Sequence, residues 1–353
     1  MIRVLVVDDS PTMRQVIRAV LESDSELKVV GEAYNGINAV ALCEKLQPDI
    51  ITMDIRMPEM NGFEAIRTIM AESPRPIVVL TSTRSDIELG TSFNAIDAGA
   101  LMVCGKPRGL PGEDPAADRL IQQIKIMAEV KVVRRRWHLT EKKTQSSLEK
   151  TVEANSIATR PLTPRLIAIG TSTGGPPALQ MILKEFTASL PVPVVIVQHI
   201  SSGFVEGLAH WLDGTTPLRV KVAEICEVLE AGTVYLAPED QHLMVTKHGR
   251  VRLRASPEVD GHRPSATVLF ESVAESYGPN AVGILLTGMG RDGAQGLKTL
   301  REKGGHTIAQ DEASSVIFGM PKEAIALGAA EKVLSLEQIT SRLKWLLRVK
   351  EAT

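Results

Sequence analysis

The chain is short of cysteine, of aromatic side chains, of net charge and of long apolar runs, and each shortage removes a class of function. Cys43, Cys104 and Cys226 are its three cysteines in 353 residues; they lie far apart and show no C-x-x-C spacing. A disulfide framework or a structural zinc site is therefore excluded, and the thiols read as small, partly buried apolar groups. Aromatics make up 3% and the formal net charge is −2. Neither a base-stacking surface nor a basic field for nucleic acid or anionic lipid can be built from that. No stretch approaches the roughly 18 apolar residues that span a bilayer. The opening Met1-Ile2-Arg3-Val4-Leu5-Val6-Val7-Asp8-Asp9 has an apolar run of four closed by two carboxylates, which is no signal peptide. The expectation is a cytoplasmic protein with no nucleic-acid partner and no direct membrane insertion.

What is present is a globular composition, 44% apolar and 23% charged, in a chain long enough for two ordinary domains. Residues 2–7 carry a strand pattern. Ser10 then offers a cap and Pro11 a first turn for a helix through Met13, Val16, Ile17, Val20 and Leu21. Strands at 29–33, 49–54, 76–81 and 101–104 alternate with helices at 36–46, 62–70 and 86–98, and a last helix is expected over 118–133. Five strands written as apolar runs between helices predict a parallel sheet covered on both faces. From Arg134 the composition turns basic and Ser/Thr/Glu-rich up to Pro164, the pattern of a solvated tether. A second α/β series begins at Arg165. Its strand candidates are 166–169, 194–198, 233–237, 251–253 and 281–286, with helices at 176–185 and 265–276. The expected division is therefore residues 1–133, a flexible linker over 134–164, and a second domain over 165–353.

Two constellations carry chemistry. In the first, Asp8 and Asp9 close strand one and Asp54 closes strand three, so a parallel sheet gathers three acids at one edge. Clustered carboxylates repel unless a cation intervenes, which implies Mg²⁺. Thr81 ends strand four and Lys106-Pro107 follows strand five at the same edge, a set suited to phosphoryl transfer onto an aspartate. In the second, Gly170-Thr171-Ser172-Thr173-Gly174 lies between a strand and a helix. That context fits an exposed serine nucleophile, and it also fits a phosphate cradle. His199 follows the apolar run 194–197 and emerges at the same edge; His262 and His242, in polar loop-like stretches, are the next bases in line. Asp292, in the loop Gly288-Met289-Gly290-Arg291-Asp292-Gly293 after a buried strand, is the candidate orienting acid, or else a turn aspartate before glycine. The chain order Ser, His, Asp argues against an ordinary α/β-hydrolase, and a nucleotide site lacks both G-K-[ST] and the full G-x-G-x-x-G.

Residues 1 to about 130 resemble a response-regulator receiver domain through Asp8-Asp9, Asp54, Met57-Pro58, Asn61-Gly62, Thr81 and Lys106-Pro107. The resemblance implies a flavodoxin-like, doubly wound five-stranded sheet in which Asp54 takes phosphate from a histidine kinase. Asp9, Asp54 and the Arg56 carbonyl would ligate Mg²⁺ with Asp8 assisting, while Thr81 and Lys106 meet the phosphate. The second half resembles the chemotaxis protein-glutamate methylesterase (CheB) family. The residues that carry this are Gly170 to Gly175, Gln198-His199, Ala237-Pro238 with His242, His262-Arg263-Pro264-Ser265, and Thr287 to Gly293. This implies an α/β doubly wound, mostly parallel hydrolase domain with Ser172 as nucleophile, His199 as base, Asp292 as orienting acid and the Met289 N–H as oxyanion donor. It further implies demethylation of glutamate methyl esters on the cytoplasmic part of chemoreceptors, deamidation of receptor glutamines, and no cofactor in the second half. Thr267 departs from the family, which often has aspartate there, and this puts local support of the site in question. A receiver regulating a binding module with a vestigial triad is the alternative of another class.

Overall fold

The computed structural model describes residues 1–82, 86–130, 132 and 164–348. Of the expected tether over 134–164, residues 134–163 lie outside the described residues. In the first unit β1 (Ile2–Val7), α1 (Pro11–Glu22), β2 (Leu27–Ala33), α2 (Gly36–Leu46), β3 (Ile50–Asp54), α3 (Gly62–Glu72), β4 (Ile77–Thr81), α4 (Asp86–Ala98), β5 (Met102–Gly105) and α5 (Pro115–Ala128) alternate strictly. The five strands form one parallel sheet in the order β2-β1-β3-β4-β5. Successive residues of a strand face opposite sides, and here both sides are apolar. Val4, Val6, Val78 and Leu80 pack under α1 and α5, whereas Leu5, Val7, Met53 and Val79 pack under α2, α3 and α4. Local chemistry starts α1, α2, α3 and α5. The Ser10 hydroxyl accepts from Met13 N–H, and Asn61 and Glu64 form a capping box on α3. The last helix departs from the expected 118–133: Asp114 caps it with Pro115 in the first turn, so it starts earlier, and it ends at Ala128.

The second unit comprises β6 (Leu166–Thr171), α6 (Gly175–Leu183), β7 (Val194–Gln198), α7 (Val205–Thr215), β8 (Arg219–Val222), β9 (Thr233–Leu236), β10 (His242–Val245), β11 (Val251–Arg254), α8 (Ala266–Ser276), β12 (Ala281–Leu285), α9 (Ala294–Glu302), β13 (His306–Gln310), α10 (Met320–Ala326), β14 (Lys332–Leu334) and α11 (Leu336–Leu347). Seven strands pair in parallel in the order β14-β13-β12-β6-β7-β9-β8. α6, α7 and α11 cover one face, and α8, α9 and α10 the other. The expected strand at 251–253 exists, but it pairs antiparallel with β10 in a separate two-stranded hairpin. Both architectures are α/β and doubly wound, as expected.

The two units touch along α4 and α7. Phe93 and Trp211 stack at 5.7 Å between ring centroids, and Gln180 Nε2 donates to Asp97 Oδ1 at 3.0 Å. The apolar cluster on the α2–α4 side of the first sheet is continuous with the one under α6 and α7.

Candidate active site

In the larger sheet, β12, β6 and β7 are adjacent, and β6 is where the chain order reverses, so a crevice opens beyond their carboxyl ends. Ser172 follows β6, His199 follows β7, and Asp292 lies in the loop after β12. The structure thus brings the three expected residues to one edge. Backbone bonds tie their strands together there: Ser172 N–H donates to Thr287 O at 3.0 Å and His199 N–H to Thr171 O at 2.9 Å. Gly288 must be glycine, because a Cβ there would stand 2.7 Å from Ser172 Cβ and 2.3 Å from Met320 Sδ.

His199 Nε2 and Asp292 Oδ2 are 2.9 Å apart. The carboxylate can only accept, so Nε2 carries the proton and the lone pair is left on Nδ1. That nitrogen is buried and has no hydrogen-bond partner among the described residues. The expected serine–histidine hydrogen bond is not formed: among the described residues the Ser172 hydroxyl bonds to nothing. Such bonds are commonly long in unliganded enzymes and close only around substrate.

Asp292, 1% exposed, is fully engaged. Besides His199 it accepts from the Ser265 hydroxyl (2.6 Å) and from the Ala266 (2.7 Å) and Thr267 (3.1 Å) amides at the N-terminus of α8. Burial alone would raise its pKa. The hydrogen bond and charge of His199, with those from Ser265 and Ala266, outweigh burial and hold the carboxyl well below the usual range. Thr267, the departure from the family pattern, pins the loop that carries Asp292, because its Oγ1 accepts from Gly293 N–H at 2.8 Å. Local support is therefore present. Sequence reasoning missed the Ser265 and Thr267 contributions, although Ser265 was readable as a cap for the helix that follows.

The two other histidine candidates separate. His242 is not in a loop; it opens β10 and is fully buried. Its Nδ1 accepts from Ser265 N–H at 3.2 Å and its Nε2 reaches Pro257 O at 3.0 Å, so both nitrogens are spent on structure. His262 lies flat against His199, with centroids 3.8 Å apart and planes 10° from parallel. Burial first, then the neighbouring His199, pushes its pKa below the ordinary histidine value. The Met289 side chain is exposed, and its N–H donates to no group among the described residues.

At the edge of the smaller sheet, carboxylate oxygens of Asp8, Asp9 and Asp54 lie within 4.8 Å of one another. Lys106 Nζ is 2.7 Å from both Asp8 Oδ2 and Asp54 Oδ2. Burial raises the Asp54 pKa against the pull of Lys106, and Asp8 adds to the rise. Asp8 Oδ2 is paired with Lys106, and the clustered carboxylate oxygens of Asp8, Asp9 and Asp54 are a donor set that suits a hard cation. Asp9, Asp54, Arg56, Thr81 and Lys106 line a common cavity of about 510 Å³.

Residues 4–111 match the response regulator receiver domain, and residues 167–343 match CheB methylesterase. Over 344 residues the chain is 47% identical to protein-glutamate methylesterase/protein-glutamine glutaminase 4 of Myxococcus xanthus, covering 97% of this chain and 96% of that one. It is 44% identical over 345 residues to a protein-glutamate methylesterase/protein-glutamine glutaminase of Nitrosospira multiformis, covering 97% and 96%. The crystal structure of the Thermotoga maritima CheB methylesterase catalytic domain aligns with a TM-score of 0.50 at 39% identity, covering 52% of this chain and 100% of that one. With the receiver ahead of the matched catalytic unit, this chain belongs to the CheB methylesterase family.

Proposed function

We propose that this protein is a phosphorylation-controlled serine hydrolase that removes methyl groups from glutamate methyl esters of chemoreceptors and deamidates receptor glutamines. The observation that carries the reading is the buried His199–Asp292 pair, which leaves a lone pair on Nδ1 at the edge where Ser172 stands. In the forward step the Ser172 hydroxyl attacks the side-chain carbonyl and His199 Nδ1 takes its proton. The Met289 N–H would donate to the oxygen that becomes negative. His199 then protonates the leaving group, which departs as methanol from the ester or as ammonia from a glutamine, and an acyl-serine remains. Water, activated by the same nitrogen, frees the glutamate. Asp292 stays ionised throughout, holding the ring and stabilising the imidazolium.

In the receiver, Asp54 is the phosphoacceptor and a histidine kinase the donor. Asp9, Asp54 and the Arg56 carbonyl would hold Mg²⁺ with Asp8 beside them, and the metal would offset charge on the transferred phosphoryl group. Lys106 neutralises the same oxygens, and Thr81 stands at the rim to sense them. Control follows from packing. Val316, whose Cβ lies 2.6 Å from where a Gly174 Cβ would be, packs with Ile317 against the receiver core under α1 and α5. The receiver is thus one side chain away from the nucleophile's turn, placed to restrict substrate access until phosphorylation shifts the contact. A methanol-release assay on methylated receptor membranes tests the reading. Ser172→Ala is expected to abolish release, since triad deletions cost orders of magnitude; a loss below about tenfold removes the nucleophile.

A further inference from the structure

Gln198, the last residue of β7, sits between the two residues whose alignment the reaction needs, and it is 5% exposed. Its single side-chain nitrogen donates to Ser172 O and to His199 O, both at 2.8 Å. The two N–H groups of one amide therefore bridge the backbones of the nucleophile and the base. The orientation of the amide is dictated by chemistry, because turning it over would press its oxygen against two carbonyl oxygens. In the observed orientation Oε1 is buried with no donor, so the side chain leaves one acceptor unpaired in order to make both bridging bonds. Gly175 is shaped around it: a Cβ there would lie 2.0 Å from Oε1 and 2.6 Å from Thr171 Oγ1. That gives the glycine after Gly174 a steric reason.

We infer that Gln198 is a positioning residue that sets the separation of the Ser172 hydroxyl from His199 Nδ1 by clamping the two backbones with one amide. The inference rests on the proposed roles of Ser172 and His199. Because those two side chains are not yet bonded in this structure, their approach depends on how the turn after β6 and the end of β7 are held, and this amide links them directly. Shifts of about 1 Å at a distance from the reacting atoms cost on the order of 10²-fold in rate.

The test uses full-length Gln198→Met, which keeps the volume and removes both donors, and Gln198→Glu, which keeps shape and polarity but turns the donor into an acceptor. The measurements are kcat and KM for methanol release from methylated receptor membranes, and the rate of phosphonylation of Ser172 by a fluorophosphonate probe. The expected result is a fall in kcat of about 10²-fold with KM held within about twofold, and a parallel fall in phosphonylation. Gly175→Ala, which retains the amide but displaces it, is expected to show the same pattern. A kcat within about threefold of the unaltered protein in folded Gln198→Glu overturns the inference, and so does a raised KM at unchanged kcat. If Ser172→Ala is inactive while the Gln198 variants are not, only the clamp fails. If Ser172→Ala retains activity, the underlying reading fails with it.

Discussion

His262 illustrates how a single ring can matter without reacting. It is held by reciprocal backbone bonds with Val259 across Asp260 and Gly261, and it stacks on His199. Burial and His199 lower its pKa, while Asp292, Glu258 and Asp260 pull the other way with less effect. A histidine kept neutral by the fold makes the folded state bind fewer protons than the unfolded state. The associated stability is complete above the ordinary value of about 6.5 and is lost as pH falls through the lower folded value. His262→Phe keeps a flat ring there and removes the titration. Its unfolding free energy relative to the natural protein is therefore expected to improve as pH falls from about 7 towards 5. Denaturant titrations at each pH check this, and a difference that is flat across the range refutes it. None of this is visible in the sequence, where His262 is one of several histidines in polar stretches. Stacking depends on two segments far apart in the chain meeting face to face.

The first turn of α8 does more for the site than any other element. Its amides and the Ser265 cap supply three donors to Asp292, and Thr267 takes the N–H of Gly293 in return. A helix N-terminus is a natural seat for a carboxylate, since its free N–H groups and dipole both favour negative charge. Thr267→Val strands the Gly293 N–H in a buried place and is expected to cost about 1–3 kcal/mol. Ser265→Ala removes a cap and a donor together, with a loss of similar or larger size. Urea unfolding of each variant decides the matter, and losses under about 0.5 kcal/mol would mean that the turn is held by other contacts. The helix start at Ser10 was legible because capping is local chemistry. By contrast β8, β10, β13 and β14 escaped, since three to five residues carry too little periodicity to declare a strand.

At the scale of the whole molecule the question is how an acidic pocket in one sheet governs a serine in another. Thr81 and Lys106 share a cavity of about 650 Å³ with Ser201, Ser202 and Phe204, which lie just beyond His199. Gly105 faces the Phe204 ring, and Gly90 of α4 lies against His210 of α7. The Asp54 side of the receiver and the loop after His199 are therefore neighbours across one interface. A chain beginning near Arg165 is expected to hydrolyse methylated receptor faster than the unphosphorylated full-length protein. Methanol release at equal concentrations measures this. Equal or slower rates in the shorter chain would end the inhibitory model.

Local patterns alone determined much: apolar strand runs specified buried parallel sheets, and residues at strand ends marked both Asp54 and Ser172, because parallel strands deliver their carboxyl ends to one edge whatever the loops between them do. Tertiary structure decided the rest. It settled which nitrogen of His199 meets Asp292, that His242 is spent on structure, that the Thr267 hydroxyl accepts from Gly293 N–H, and that the 251–254 segment leaves the main sheet. Each of these depends on contacts between residues remote in the chain, and the order of residues carries no direct record of which remote surfaces will meet.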